Sequence, residues 1–524
     1  MVNSWWLMAI FDKISVAQIN LTVGDLAGNA QKIIAAAKHA KASGAELVVF
    51  PELAVSGYPP EDLLLRPAFI KQEAETLKEI AKLLEVPAIV GALHSADGKL
   101  YNGAYLLQGG KVKLVSTKKN LPNYGVFDEQ RYFASGDVLE VFEIAGHKLA
   151  VIVCEDGWTL PRGQEAKEKG AELLLSINAS PYEFGKIERR YKVFGELAQV
   201  TKLPIIYTHM VGGQDEIVFD GASFVLDAKG KLTASLPEFE EIIAMPNALV
   251  KPLPKLESQF KAMVLGLRDY VRKTGFQRVV LGLSGGIDSA LVAAIAAEAL
   301  GGKNVRCIIL PSKFSSQTSL NDAEACAKSL GVNYETINIE PAVQAFHTML
   351  KDNFAGKTAD ATEENLQSRA RGITLMASSN KHHELLLTTG NKSEMAVGYA
   401  TLYGDMNGAF NPIKDLYKTE VFEVARWLGS IPANIISKEP TAELRENQKD
   451  SDSLPTYDVL DGILRQLIEG RKVAHEVQGF DAELVKKIAR LVKNSEFKRK
   501  QAPMGVKLTA CSFGKDWRYQ VASY

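Results

Sequence analysis

Leu281-Gly-Leu-Ser-Gly-Gly-Ile-Asp-Ser289 decides the fold of the second half of this chain. An apolar run from Val279 leads into it, and the apolar, alanine-rich stretch 290–300 follows. That order predicts a strand, a tight loop and the N-terminus of a helix. Such a loop turns backbone N–H groups toward an anion, and the helix dipole favours negative charge there. Gly285 and Gly286 remove Cβ atoms that would keep a phosphate away. Asp288 has no place in a pure anion cup unless a cation is present, which suggests a magnesium ligand. The expected ligand is a nucleotide polyphosphate with its metal. The loop is not a Walker A motif: the nearest candidate, Gly356-Lys357-Thr358, has Lys351 where the first glycine belongs.

Outward from this loop, helical and extended patterns alternate. Helix 258–274 precedes it; strand 305–310, helix 320–330 and strand 334–339 come after. Regular β-α alternation implies a parallel, doubly wound sheet with ligand sites at the carboxyl ends of its strands. The polar, charged stretch 444–455 is expected to be a mobile loop. Upstream, Pro237, Pro246, Pro252 and Pro254 punctuate a segment of weak periodicity, and 236–254 reads as the tail of a first domain and a linker. In the first half, helices are expected over 30–42 and 74–84. Strands are expected over 47–50, 88–93, 147–153, 171–177 and 203–209, and a hairpin joins 222–227 to 231–235 about Lys229-Gly230.

A length of 524 residues is enough for two or more domains, each with its own core. The formal net charge of −1, without a long basic run, argues against nucleic acid as a main partner. None of Cys154, Cys307, Cys326 and Cys511 forms a C-x-x-C pair, so neither a zinc ribbon nor a disulfide framework is indicated, and a reducing cytoplasm fits. Residues 1–20 lack a signal-peptide plan, Met8 is an alternative start, and no run approaches the length of a membrane span.

A second chemistry lies in the first half. Glu52 follows strand 47–50, Lys118 lies in Thr117-Lys-Lys-Asn-Leu-Pro122, and Cys154 ends strand 147–153. A cysteine nucleophile usually borrows a histidine, but His147 sits on the same strand, about 23 Å away if extended. A lysine that lowers a thiol pKa and a carboxylate acting as general base can replace it. Taken singly, each of these residues also fits a packing or surface role.

The neighbouring wording is more specific. Phe50-Pro-Glu-Leu-Ala-Val-Ser-Gly-Tyr-Pro-Pro-Glu-Asp62, Lys118-Lys-Asn-Leu-Pro-Asn-Tyr-Gly-Val-Phe-Asp-Glu129 and Val153-Cys-Glu-Asp-Gly-Trp158 together resemble the nitrilase family of amide hydrolases. The resemblance implies an α-β-β-α sandwich over residues 10–250. It nominates Glu52 as general base, Lys118 as stabiliser of the oxyanion, Cys154 as nucleophile and Glu129 as the carboxylate that orients the lysine. The family lysine stands three residues before a leucine, which selects Lys118 over Lys119. Tyr124, Ser180 and Lys186 are the implied glutamine contacts.

Ser284-Gly-Gly-Ile-Asp-Ser289 resembles the pyrophosphate loop of the ATP pyrophosphatase superfamily. That implies a doubly wound, Rossmann-like domain over 256–524, with ATP and Mg²⁺ and no tightly bound organic cofactor. The pairing of the halves is similar to the family of glutamine-dependent NAD synthetases, in which one domain frees ammonia from glutamine and the other adenylates and amidates deamido-NAD. The resemblance implies ATP contacts at Ser284, Gly285, Gly286, Ile287, Asp288, Ser289, Thr389 and Lys418. It implies deamido-NAD contacts at Asn365, Arg369, Glu394, Asp405 and Lys507, phosphate contacts from Arg369 and Arg371 on a short polar helix, and metal ligation by Asp288 and Glu394. Residues 440–444 correspond to the family lid, and Gln520 stands where the family often has proline. A cytoplasmic homo-oligomer acting on small molecules, with no membrane partner, is implied. An amidotransferase for another acyl acceptor, and a non-catalytic nucleotide-binding protein, remain as alternatives.

Overall fold

The computed structural model describes residues 13–446, 448, 450–452 and 454–523. The alternative start Met8 lies outside them, as do Asn447, Lys449 and Ser453 of the stretch expected to be a loop. The chain divides into two compact units, Met1–Ser258 and Gln259–Tyr524, and the division falls within the helix Lys255–Lys273.

The first unit is built on two six-stranded sheets. One begins with β1 (Ile14–Gln18), β2 (Leu47–Val49), β3 (Ala88–Ala96), β4 (Lys99–Gln108) and β5 (Lys111–Thr117) side by side. The other contains β6 (Phe142–Ile144), β7 (His147–Val153), β8 (Leu173–Asn178) and β9 (Ile205–His209). A hairpin of β10 (Val211–Gln214) and β11 (Ile217–Asp220) follows. The pair β12 (Phe224–Leu226) and β13 (Leu232–Ser235) then extends the second sheet beyond β9. The chain finally returns to the first sheet as β14 (Ile242–Ala244), antiparallel to β1. The segment 236–254 is therefore more than a tail and linker: it supplies an edge strand, too short for periodicity to reveal.

Alternation along the strands explains the layering. Side chains of a strand point to opposite faces in turn. Ile14, Val16, Leu47 and Val49 share a core with Leu149, Val151, Val153, Leu173, Leu175 and Ile177 of the other sheet. The residues between them face outward. Ala17 and Val48 pack with Ile33, Ala37, Leu77 and Ile80 of the helices Leu26–Ala42 and Pro67–Leu83. Ala150, Ile152 and Leu174 pack with Ala166, Phe194 and Leu197 of the helices Pro161–Glu168 and Lys186–Thr201. The result is the expected α-β-β-α sandwich.

In the second unit β15 (Val279–Gly282), β16 (Val305–Ile309), β17 (Asn333–Thr336) and β18 (Leu385–Leu386) form a parallel sheet in the order β17-β16-β15-β18. The chain steps outward from β15 through β16 to β17, then returns to the other side of β15. That reversal opens a crevice at the carboxyl end of β15, where ligands bind in such sheets. The helix Ile287–Leu300 is buried on every face from Ser289 to Ala296, consistent with the apolar circumference of that stretch. One expectation needs correction. The helix carrying Asn365, Arg369 and Arg371 is not short: it runs Ala361–His382, started by a capping box from Asp360 and Glu363. In the stretch expected to be mobile, Gln448, Asp450 and Leu454 are buried, and Asp450 accepts a hydrogen bond from the Tyr457 hydroxyl at 2.8 Å.

Glu73 exposes the cost of one choice in the first sheet. Its Oε1 accepts the Leu93 N–H at 3.0 Å, its Oε2 has no partner among the described residues, and burial pushes its carboxyl up to about 8. Between its ordinary value of 4.5 and about 8 the folded state keeps a proton that the unfolded chain releases, so stability falls as pH rises across that window. The slope is about 1.4 kcal/mol per pH unit for one group. Glu73→Gln keeps the acceptor and removes the ionisation. Melting followed from pH 5 to 8 is expected to show a steeper decline for the parent protein than for the variant.

Candidate active sites

In the first unit the topology gathers the chemistry on one edge. β3 runs parallel to β2, β4 is antiparallel to β3, and β5 antiparallel to β4. The end of β2, the start of β4 and the end of β5 thus meet. Glu52 follows β2, Asn102 lies near the start of β4, and Lys118 follows β5. Glu52 can approach only because Gly91 on β3 has no side chain: a Cβ there would lie 2.4 Å from the Leu53 nitrogen. The strand β7 of the other sheet delivers Cys154, whose φ of +46° marks a sharp, strained strand-to-helix turn.

Lys118 is completely buried, and its ammonium lies 2.7 Å from both Glu52 Oε1 and Glu129 Oε1. Burial opposes its charge, but Glu129 and Glu52 outweigh burial and hold its pKa well above the ordinary lysine value. Burial pushes Glu129 up to about 7 against the pull of Lys118. Its Oε1 also accepts the Tyr58 hydroxyl at 2.8 Å. Burial likewise raises the Cys154 thiol well above its usual range. Among charged groups Glu52 adds most to that rise, and Lys118 opposes it. The resting sulfur is therefore a neutral thiol that needs a base, and Glu52 is the carboxylate it senses most strongly. The segment after Lys118 is pinned by buried Asp156, which accepts the Lys119 and Asn120 N–H groups at 3.1 and 2.8 Å. The segment before it is pinned by Arg162, which donates to the Thr117 carbonyl at 3.0 Å.

The nominated glutamine contacts are placed differently from one another. Tyr124 is exposed and donates its hydroxyl to Glu155 at 3.1 Å. Ser180 is buried, and its N–H donates to His209 Nε2 at 2.9 Å. His209 Nδ1 faces the Gly221 carbonyl at 2.8 Å, so Nδ1 carries the proton and Nε2 accepts. Burial, followed by Arg190, drives this histidine down to about 3 and keeps it neutral. Lys186 donates to the Pro181 carbonyl at 2.9 Å. Sequence reasoning overlooked Asn102, Tyr58 and His209. Tyr58 sits inside the quoted Glu52 motif; the other two carry no local signal, because only pairing between distant strands brings them here.

In the second unit a cavity of about 300 Å³ opens at the crevice beside β15. Ser284, Gly286, Ile287, Asp288, Ser289, Thr389, Glu394, Asp405, Arg371 and Lys418 all line it. Gly285 does not: its φ is +79°, and a Cβ would fall 2.2 Å from the Ser319 carbonyl oxygen, so this glycine serves the chain's own close approach. The Ser284 loop is held by Ser289, whose hydroxyl donates to the Gly286 carbonyl at 3.0 Å and accepts the Ser284 N–H at 3.2 Å. The Lys418 ammonium contacts Asp288 Oδ2 and lies 3.4 Å from Glu394 Oε1, while Asn391 donates to Asp288 Oδ1 at 2.9 Å. Burial pushes Glu394 up to about 8 against the pull of Lys418. Two carboxylates bridged by a cation suit magnesium as ligands. Among the described residues no cluster of three or more His, Cys, Asp or Glu could hold a metal, so a triphosphate would have to complete the shell.

Three further nominated residues stand outside the cavity lining. Asn365 accepts the Thr401 hydroxyl at 2.8 Å, and Thr401 in turn donates its N–H to Asp405 at 2.6 Å. Arg369 donates to the Leu402 carbonyl at 3.2 Å. Lys507 is buried, paired with Asp516 and donating to the Thr509 carbonyl at 2.6 Å. Burial raises Asp405 to about 6. The lining also includes Glu443 of the expected lid, which accepts the Ser316 hydroxyl at 2.8 Å and the Ser319 hydroxyl at 2.6 Å.

One unit thus has the makings of an amide hydrolase and the other of a nucleotide-dependent ligase. Comparison with known proteins agrees. Residues 13–252 match the carbon-nitrogen hydrolase family and residues 259–502 the NAD synthase family. The glutamine-dependent NAD(+) synthetase of Rhodobacter capsulatus is 46% identical, covering 98% of each chain. The solved structure of the glutamine-dependent NAD+ synthetase from Acinetobacter baumannii, in complex with adenosine diphosphate, is 40% identical with a TM-score of 0.79, covering 97% of this chain and 98% of that one. A second solved structure, from Cytophaga hutchinsonii, shares the fold at a TM-score of 0.85 and 24% identity, covering 97% of each chain. The chain belongs to the family of glutamine-dependent NAD(+) synthetases.

Glu129→Gln removes one of the two carboxylates that hold the Lys118 ammonium. Glutamine hydrolysis is expected to fall by roughly 10²-fold, the usual cost of a disturbed oxyanion donor, with ammonium-supported turnover unchanged. Asp288→Asn is expected to give the opposite pattern: intact glutamine hydrolysis, and nucleotide-dependent synthesis reduced at least ~10²-fold with either nitrogen source.

Proposed function

We propose that the chain converts deamido-NAD to NAD in two coupled reactions. Cys154 loses its proton to Glu52 and attacks the carboxamide carbon of glutamine, and Lys118 stabilises the oxyanion. Glu52 returns the proton to the departing nitrogen, ammonia leaves, and water hydrolyses the thioester to glutamate. In the second unit the nicotinate carboxylate attacks the α-phosphate of ATP, pyrophosphate leaves, and ammonia displaces AMP from the acyl adenylate. The Ser284 loop receives the phosphates at a helix N-terminus, with Lys418 neutralising their charge. Asp288 and Glu394 would hold magnesium, which when bound supplies further neutralisation of the triphosphate. Thr389 contacts ATP, and Asn365, Arg369, Asp405 and Lys507 serve the dinucleotide. Tyr124, Ser180 and Lys186 serve glutamine.

One observation carries this reading: a buried Glu-Lys-Glu cluster with its thiol, and a dicarboxylate–lysine crevice, occur in one chain whose relatives match it end to end. The reading extends to domains at 10–250 and 256–524, a homo-oligomer and a cytoplasmic setting. Four free cysteines accord with that setting. Among the described residues no helix is long and apolar enough to cross a membrane.

Cys154→Ala separates the two reactions. Glutamine-supported NAD formation is expected to disappear, while ammonium-supported formation persists near the parent rate. Loss of both would contradict the division of labour. A panel of other carboxylates, read by pyrophosphate release, tests the acyl acceptor.

A further inference from the structure

Asn102 is completely buried on β4 and bonds two members of the hydrolytic site. Its Nδ2 lies 2.7 Å from Glu52 Oε1, and its backbone carbonyl accepts the Lys118 N–H at 2.8 Å. A carboxylate only accepts hydrogen bonds, so the carboxamide must present its NH₂ to Glu52. That fixes Oδ1 on the other side, where it is buried without a partner among the described residues. Leaving a buried acceptor without a partner carries the full cost of its desolvation. An apolar side chain of the same shape would avoid that cost, so the asparagine is kept for what its NH₂ does.

What it does follows from counting lone pairs on Glu52. Each carboxylate oxygen has two acceptor sites. On Oε1 both are taken, one by Asn102 Nδ2 and one by the Lys118 ammonium, each at 2.7 Å. On Oε2 one is taken, by the Ala179 N–H at 3.0 Å. A single acceptor site is left on the carboxylate, and it belongs to Oε2.

We propose that Asn102 is a positioning residue for glutamine hydrolysis, filling Oε1 so that Oε2 alone receives the Cys154 proton. In that step the S–H bond breaks and an O–H bond forms on Oε2. The sulfur electron pair then forms the bond to the carboxamide carbon, and the carbonyl π pair moves to the oxygen beside Lys118. The same Oε2 proton passes to the leaving nitrogen. Without Asn102 the proton has two destinations, and the one on Oε1 lies beside the ammonium and away from the Ala179 N–H that orients the group. The proposal rests on the hydrolytic half of the proposed function.

The test compares the full-length parent with Asn102→Leu and Asn102→Asp. Both keep the number of side-chain heavy atoms, Asn102→Asp keeps the shape as well, and neither offers an NH₂. Glutamate release, glutamine KM, ammonium-supported NAD synthesis and the rate of covalent inactivation by the glutamine analogue 6-diazo-5-oxo-L-norleucine are measured together. The expected result is a kcat for glutamate release lower by about 10²-fold, typical of a misplaced catalytic group, with glutamine KM within threefold. Inactivation slows in parallel, and ammonium-supported synthesis is unchanged. A variant that hydrolyses glutamine within threefold of the parent overturns the proposal. So does a rise in KM that accounts for the whole loss, or failure of both variants to fold, either of which makes Asn102 a structural residue. If the parent itself hydrolyses no glutamine, the hydrolytic reading fails first, and that outcome is distinct from any variant result.

Discussion

The first unit is organised around an ammonium in a place without water. Lys118 has no exposed surface, and its charge survives only because Glu52 and Glu129 flank it at 2.7 Å each. Removing one partner from such a buried group leaves an uncompensated charge, at a cost of about 3–5 kcal/mol. The surrounding structure is arranged to prevent that. Tyr58 steadies Glu129, Asn102 and the Ala179 N–H steady Glu52, and Arg162 and Asp156 clamp the chain on either side of the lysine. A site held this firmly needs no reorganisation when an oxyanion forms, which is how preorganised charge lowers a barrier.

The second unit uses the same pairing for a different end. Lys418 contacts Asp288 and Glu394, but this cluster lines an open cavity and not a sealed core. Its cation and carboxylates face that cavity. Burial holds the Glu394 carboxyl above its ordinary value, against the pull of Lys418. The two lysine–dicarboxylate groups thus differ in exposure: Lys118 and Glu52 have no exposed surface, whereas Asp288 and Glu394 are partly exposed at a cavity wall.

Much of this was legible before any coordinates. The strand-loop-helix around Ser284 appears where expected, because glycines, hydroxyls and an apolar helix are local signals. Glu52, Lys118, Glu129 and Cys154 converge as their motifs imply. Other features were not legible. β14 is three residues long and takes its identity from pairing with β1, so no period announces it. That Gly285 also accommodates the Ser319 carbonyl is not legible from its motif. The pairing of Lys507 with Asp516 inside the C-terminal segment carries no signal in the sequence. Asn102 sits in an ordinary strand, and only its register opposite Leu93 carries it to the base.

By itself, then, the sequence determined which side chains could do chemistry and on which kinds of element they sit. Those properties depend on residue type and short-range spacing, and both are written along the chain. The tertiary structure alone decided which oxygen of Glu52 keeps an open acceptor site, which glycine meets a neighbouring carbonyl and which lysines are already paired. The hydrogen bonds to Glu52 from Asn102 and Ala179 span 50 and 127 positions, and register between distant strands, not local propensity, sets them.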